Sequence, residues 1–516
     1  MCGICGEFAF GGGQVSVPSL DSMTRTLRHR GPDHEAVYVS PRGETGLGFR
    51  RLSIIDLRAA ANQPIGTEDG ALQMVFNGEI YNYREIRKGL VARGHEFRSN
   101  ADSEVIVHLF EELGDRAVDE LDGMFALAMW DERSRQLTLA RDRAGKKPLY
   151  LWRDGSRVVF ASEMKAILAH PDVPIDVDES AIPSYFLYGY VPHPQTLYKG
   201  VRQVEPGSLT RFNIDGGETS RRYWQLQFPK DGAASAPPPR GAAAQRVREL
   251  VTAAVERRLM SDVPLGAFLS GGIDSTIVVG VMSRLAQEPV RTFSIGFDDD
   301  PAFDETEIAR ATSRRFGTRH TEFRVQPSAI DLLDTLVYHH DGPFADSSAI
   351  PTYLVSQLTR QHVTVALTGD GGDEVFAGYL RFGAAVAAGH LPAWAGRAAS
   401  AALTVLPSPP NERHLVARAK RFTRYMQLPL QGRLAAWAGV FYDDLESLLT
   451  PGFRQRVGEI DRACHLKALA GAEDASPLSQ LLAANFHSYL HDDLLVKADR
   501  MSMANSLEAR APFLDR

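Results

Sequence analysis

The chain has 516 residues, 44% of them hydrophobic and 23% charged, and a formal net charge of −7. That length exceeds what one growing hydrophobic core serves, so two or three domains are expected, and the composition excludes a disordered or collagen-like chain. The acidic balance offers no basic field for nucleic acid or anionic lipid, and no run of about 18 uncharged apolar residues marks a membrane span.

Small molecules are therefore the expected partners, with no nucleic acid and no membrane, and a homodimer is compatible with this composition. Cys2, Cys5 and Cys464 are too few and too unevenly placed for a disulfide framework, and the first residues lack the basic start and apolar core of a secretory signal. A cytoplasmic address is the expectation.

In chain order, the first informative residue is Cys2. If Met1 is removed, Cys2 carries a thiol and a free amine together. An α-amine with a pKa of about 7.7 to 8.0 is neutral in roughly a fifth or less of molecules at pH 7, enough to take the thiol proton. The ordinary alternative for a cysteine is a small buried thiol, which suits Cys5 and Cys464.

A strand is predicted over 71–76, ending where Asn77-Gly78-Glu79 begins, with helices over 83–93 and 103–113 and further strands over 123–130, 137–140 and 157–161. Hydrolysis of an amide needs donors aimed at a tetrahedral oxyanion, and Asn77 and Gly78 offer a side-chain amide and an unobstructed N–H. Arg51 and Asp102 are suited to the α-carboxylate and α-amine of a free amino acid. Taken singly, Asn-Gly is usually a turn and such charges usually face solvent.

The company of these residues is more specific. Met1-Cys2-Gly3-Ile4, His29-Arg30-Gly31-Pro32-Asp33, Arg51 to Asp56, Phe76 to Asn82, Asp102-Ser103-Glu104 and Asp122 to Ala126 stand in the order found in class II glutaminases of the N-terminal-nucleophile type, which this segment resembles. The resemblance implies an αββα sandwich, Cys2 as nucleophile, Asn77 and Gly78 as oxyanion hole, and Arg51, Asn77, Glu79 and Asp102 as glutamine-binding residues. Arg141-Asp142 and Lys147 to Tyr150 also match the pattern, and a structural or domain-contact role is expected for them.

A Pro-, Ala- and Gly-rich cluster at 231–241 breaks the pattern. Beyond it, strand, loop and helix alternate: 267–269 with 274–285, 292–295 with 305–316, and 363–367 with 374–379. That alternation predicts a parallel sheet with ligands beyond the carboxyl ends of its strands. Helical patterns dominate from Leu391 onward.

Ser270-Gly271-Gly272-Ile273-Asp274-Ser275 follows one strand and opens a helix, so converging N–H groups, hydroxyls and the helix dipole suit a phosphate. A lysine after the glycines, as in a Walker loop, is absent. Thr368-Gly369-Asp370-Gly371-Gly372-Asp373-Glu374 follows another strand, and carboxylates this dense repel one another unless a cation such as Mg²⁺ sits among them.

With Asp346 to Pro351, Lys497 to Met503 and Glu508 to Asp515, these loops resemble the ATP-pyrophosphatase domain of the glutamine-hydrolysing asparagine synthetase family. The resemblance implies Leu269, Ile295, Thr368 and Gly369 around adenosine, and Ser270, Gly271, Gly272, Asp274 and Ser275 on pyrophosphate. It assigns Asp370 to acyl-adenylate formation, Asp373 and Glu374 to metal or substrate, Asp274 and Asp373 to Mg²⁺, and Lys497 or Arg500 to the charge of leaving pyrophosphate.

The domains are then a glutamine amidotransferase domain at 2–215, a linker at 216–240 and a synthetase domain at 241–516. The family pattern continues past Pro512 to Asp515, so a C-terminally incomplete chain is expected. ATP and Mg²⁺ are the implied cofactors, and glutamine and aspartate the implied substrates. Asp370 stands where some members have glutamate, which leaves another carboxylate of polysaccharide or secondary metabolism as the alternative acceptor. Sugar-phosphate and phosphoribosyl amidotransferases need no pyrophosphatase loop and are disfavoured.

Overall fold

The computed structural model describes residues 1–231, 238–297, 304–325, 329–407, 414–462 and 472–516. Cys464 and positions 232–237 of the Pro-rich cluster lie outside the described residues.

The N-terminal region builds strands β1 (Gly3–Ala9), β2 (His34–Val39), β3 (Thr45–Arg51), β4 (Ile65–Gly66), β5 (Leu72–Ile80), β6 (Gly123–Asp131), β7 (Gln136–Arg141), β8 (Tyr150–Arg153), β9 (Arg157–Ala161), β10 (Val201–Gln203), β11 (Ser208–Asn213) and β12 (Glu218–Arg222). They form two antiparallel sheets, ordered β10-β8-β9-β1-β3-β2 and β12-β11-β7-β6-β5-β4.

The period of two along β5 and β6 decides the layering. Val75, Ala126, Ala128 and Trp130 point between the sheets, where they meet Ile4, Phe8, Phe49 and Phe160. Met74, Phe76, Phe125, Leu127 and Met129 point outward, against Leu90 of helix α2 and Val105, Ile106 and Leu109 of helix α3. Full burial of each such side chain contributes roughly 1.5 to 3 kcal/mol.

Helix α1 (Val17–Thr26) covers the opposite outer face, its Met23 packing with Cys5, Val159 and Ala161; α2 spans Tyr83–Ala92 and α3 spans Glu104–Leu113. The start of α1 is fixed by Ser16, whose hydroxyl accepts from the Ser19 N–H, and by Pro18 in the first turn. These layers form the expected αββα sandwich.

The C-terminal region contains a parallel sheet of β13 (Leu265–Phe268), β14 (Arg291–Phe297), β15 (Arg319–Val325), β16 (Val365–Leu367) and β17 (Glu508–Arg510), ordered β15-β14-β13-β16-β17. The helix Ile273–Leu285 follows β13 and packs Val278, Val279 and Met282 on Ala267, Leu269 and Leu367. Because β14 lies on one side of β13 and β16 on the other, the carboxyl ends of β13 and β16 border a topological switch point, where such sheets bind ligands.

Three expectations change. The strand predicted to stop at Phe76 runs to Ile80, so Asn77, Gly78 and Glu79 lie in a strand and not after it. The sheet of the first domain extends past position 215, because β12 pairs with β11 from Ser208↔Arg222 to Phe212↔Glu218. The helix predicted over 374–379 spans Gly372–Phe376 and ends at Ala377, whose φ is +57°. Polar Glu218 to Arg222 lacks the apolar alternation that marks a strand, which hid β12.

Candidate functional site

Cys2 shares the strand parity of Ile4 and points between the sheets; Asn77 and Glu79 share the parity of Val75 and point to the same space. This register explains why residues 75 positions apart meet: the Cys2 N–H donates to Asn77 Oδ1 at 2.9 Å. Asn77 is fully buried, and its Nδ2 has no partner among the described residues. An unpartnered amide donor beside a thiol is the chemistry of an oxyanion hole.

Gly78 has a steric reason to be glycine. A Cβ there would collide with the Met124 carbonyl oxygen of β6 and stand 2.8 Å from Phe125 Cα. Burial pushes the Cys2 thiol up, opposed by the terminal ammonium, a bond with the Leu52 backbone and Arg51. Met1 is buried and its ammonium reaches Glu508 Oε2 at 3.0 Å, so the end of the chain points at β17 of the other domain.

The residues assigned to glutamine are brought together unevenly. Glu79 is buried and lies 3.5 Å from the Arg510 guanidinium, while its Oε2 has no hydrogen-bond partner among the described residues. Burial, then Glu508 and Asp102, raise the Glu79 carboxyl well above its usual range. Asp102 Oδ2 accepts the Ile80 N–H at 2.7 Å, and burial pushes its carboxyl up to about 6. The terminal nitrogens of Arg51 hold the loop carbonyls of Ile55, Asp56 and Arg58 and Asn62 Oδ1. Arg51 thus shapes the loop beside Cys2 with the donors expected to bind a carboxylate.

In the second domain, Leu269 directly follows β13, Ile295 lies in β14, and Thr368 and Gly369 follow β16, so all four cluster on neighbouring parallel strands. Ser270 Oγ and Ser275 Oγ are 3.1 Å apart across the loop, with Gly272 capping the helix Ile273–Leu285. Gly271 adopts φ +85°. A Cβ on Gly372 would collide with the Asp274 carboxylate, so the two glycine-rich loops are pressed face to face.

Burial and the nearby Asp373 raise the Asp274 carboxyl. Glu374 is buried, its carboxyl raised by burial and by Asp370 and Asp373 although Tyr379 donates to it. Asp370 Oδ2 accepts from Thr368 Oγ1 at 2.8 Å. Two facing loops that carry glycine N–H groups and mutually repelling carboxylates suit a polyphosphate held with a divalent cation.

Residues 1–224 match the family model described as a glutamine amidotransferase domain, and residues 246–516 match the one described as asparagine synthase. The chain belongs to the asparagine synthase family. It is 33% identical to asparagine synthetase [glutamine-hydrolyzing] 1 of Bacillus subtilis over 96% of this chain and 76% of that one. It is 36% identical to putative asparagine synthetase [glutamine-hydrolyzing] 2 of Methanocaldococcus jannaschii over 74% and 76%. Against the putative asparagine synthetase [glutamine-hydrolyzing] of Mycobacterium tuberculosis the identity is 32% over 100% and 80%. As a member, the chain is a glutamine-dependent ligase with an amidotransferase domain and a synthase domain.

Within this synthase-family chain, the two late-sequence cations differ in role. Lys497 Nζ donates to Asp346 Oδ2 at 2.7 Å and Ser348 Oγ at 2.6 Å. Arg500 is only 1% exposed and pairs with Glu163 at 3.0 Å and Asp341 at 3.2 Å. Its charge is committed to two buried carboxylates, one from each domain, which corrects the expectation that it faces pyrophosphate.

Sequence reasoning also missed the rest of this seam. Arg30 donates to Glu163 and to Asp499, each at 2.8 Å, and its Nε donates to the Cys2 carbonyl at 3.1 Å. Lys147 reaches Asp499 at 3.3 Å, in keeping with the domain-contact role expected of its segment. Glu508 and Arg510, on the short strand β17, carry the seam to Met1 and Glu79. Two charges either side of Ala509, in a segment flanked by Leu507 and Ala511, were the available signal.

Proposed function

We propose that this protein is a glutamine-hydrolysing asparagine synthetase. Removal of Met1 leaves the α-amine on Cys2, where it takes the thiol proton. Cys2 Sγ then attacks the side-chain amide carbon of glutamine, while Asn77 Nδ2 and the Gly78 N–H receive the oxyanion. The carbon–nitrogen bond breaks with return of the proton to the leaving nitrogen, ammonia departs, and water hydrolyses the thioester to glutamate. Glu79 and Asp102 hold the substrate's α-amine, and Arg51, whose two terminal nitrogens hold the neighbouring loop, presents its remaining Nε towards the α-carboxylate.

In the second domain, Ser270 to Ser275 hold the β- and γ-phosphates of ATP, with Leu269, Ile295, Thr368 and Gly369 around its adenosine. Asp274 and Asp373 fit Mg²⁺, because the nearby Asp373 and partial burial raise the Asp274 carboxyl, which a shared cation would relieve; bound there, Mg²⁺ would supply charge neutralisation of the phosphates. The β-carboxylate of aspartate attacks the α-phosphorus and pyrophosphate leaves. Asp370 orients the acceptor, Glu374 binds its amine, and Lys497 offsets charge on the departing group. Ammonia then displaces AMP and asparagine forms.

Ammonia is mostly protonated in neutral water, so a route between the domains is expected. A cavity of about 20 Å³ between them, lined by Met124, Lys146 and Lys147 on one side and Thr368, Asp370 and Ala511 on the other, supports such a route. That is about the space one small molecule needs. Lys146 is held at about 8 by burial, consistent with a water-poor seam.

The observation that carries this reading is the bond from the Cys2 N–H to Asn77 Oδ1 that leaves Asn77 Nδ2 buried and unpartnered. Mass spectrometry is expected to find Met1 absent from the active protein, and Cys2→Ala to abolish glutamine-dependent synthesis while sparing ammonia-dependent synthesis. Asp274→Ala is expected to spare glutaminase activity and eliminate pyrophosphate release. Loss of both activities in folded Cys2→Ala, or unchanged pyrophosphate release in Asp274→Ala, contradicts the division of labour.

A further inference from the structure

Away from both sites, on the outer face of the glutaminase sandwich, Glu68, His95 and His108 each place a ligand atom within 4.8 Å of the others. Glu68 sits in the turn between β4 and β5, His95 just beyond α2, and His108 in the middle of α3. His95 Nδ1 and His108 Nδ1 face each other at 3.2 Å. Glu68 Oε2 lies 3.8 Å from His108 Nδ1, and Glu111 Oε2 lies 3.6 Å from His95 Nδ1 and 3.9 Å from His108 Nδ1. Zinc bound tetrahedrally to nitrogen and oxygen at about 2.0 to 2.1 Å separates its ligand atoms by roughly 3.3 Å. The two imidazole nitrogens therefore stand at that spacing already, and the nearest oxygens of Glu68 and Glu111 lie within about 0.6 Å of it from His108 Nδ1.

We propose that this cluster is a structural binding site for zinc or a similar borderline divalent transition cation, with His95, His108, Glu68 and Glu111 as ligands. The surroundings support it. His95 Nε2 bonds Glu112 Oε1 at 2.9 Å, and Arg93 Nε holds the same carboxylate at 2.7 Å. A carboxylate on the far nitrogen fixes the tautomer that leaves the Nδ1 lone pair facing the cluster, as is usual behind a metal-bound histidine. His108 is 1% exposed and its Nε2 has no hydrogen-bond partner among the described residues, so the polar contacts of its ring with them are made through Nδ1, on the cluster side. Without a cation, two neutral rings sharing one proton account for the 3.2 Å contact but give no reason for the two further carboxylates to converge on it.

The site ties together three segments: the β4–β5 turn, the end of α2 and the body of α3. Since α3 begins two residues after Asp102, a cation there pins the helix that follows a proposed glutamine-binding residue. The proposal itself is independent of the reaction assigned above.

The test uses the full chain, stripped with a chelator and dialysed against zinc in the presence of excess Mg²⁺, with Cys2 alkylated so that its thiol does not compete. One equivalent of zinc is expected, with a rise in the thermal unfolding midpoint. His95→Gln and Glu111→Gln, both at incompletely buried positions, are expected to lose the zinc and the rise together. Glu112→Gln is expected to weaken binding by about 10- to 100-fold, the usual effect of losing an outer carboxylate. No bound zinc, or equal zinc in wild type and in either folded ligand variant, overturns the proposal.

Discussion

Asn77→Ala perturbs one side chain with two separable duties. The amide oxygen accepts the Cys2 N–H at 2.9 Å, and Nδ2 is buried with no partner. Removing one oxyanion donor lowers kcat by about 100- to 1000-fold, equivalent to about 2.7 to 4 kcal/mol of barrier. Leaving the Cys2 N–H without its acceptor costs about 1 to 3 kcal/mol of stability in addition. Glutamate release under saturating glutamine measures the first effect, and denaturant unfolding the second. Ammonia-dependent AMP formation in the same preparation is the internal control and is expected to change little. A fall in glutaminase kcat of less than about tenfold, in folded protein, refutes the assignment of Nδ2 to the oxyanion.

Gly78→Ala is expected to destabilise the chain by at least about 1 to 3 kcal/mol, because its methyl group meets the β6 backbone; an unchanged unfolding midpoint contradicts the close approach. Arg500→Met removes one of the buried cations facing Glu163 and Asp341, which keep Arg30 and Lys165 as counter-charges, and a loss of about 1 to 3 kcal/mol is expected in urea unfolding. Asp102 has its folded pKa raised to about 6, above the unfolded value, so the folded state binds the extra proton between pH about 4 and 6. Its contribution to stability is therefore lost as pH rises through that window. Relative to wild type, Asp102→Asn is expected to gain stability from pH 4 to 6, and a difference that is flat or of opposite sign counts against the burial of this carboxyl.

Local signals made much of the fold legible. The strand over Arg157–Ala161 and the helix after Ser270 follow from apolar patterning and a glycine-rich start. Local reasoning failed where tertiary contact overrode it. Asn77-Gly78 reads as a turn, yet β6 presses on Gly78 and carries β5 through to Ile80. The polar edge strand Glu218–Arg222 is held by pairing with β11 and not by buried side chains.

The candidate sites divide the same way. Cys2, Asn77 and the two glycine loops were legible because their chemistry is carried by contiguous residues. Arg30 and Asp499 were not, since they are separated by 469 positions and only the assembled interface makes them partners. Arg500 looked like a phosphate ligand from its neighbours in sequence. Its partners in space, Glu163 and Asp341, give it a structural duty instead.

The most direct test of the central claim follows glutamate, AMP, pyrophosphate and asparagine in one reaction containing this chain, glutamine, aspartate, ATP and Mg²⁺. The account predicts that AMP, pyrophosphate and asparagine appear in equal amounts, that each depends on aspartate, and that glutamate accompanies them. Glutamate release without aspartate-dependent AMP, or AMP formation driven by other carboxylates and never by aspartate, would contradict it.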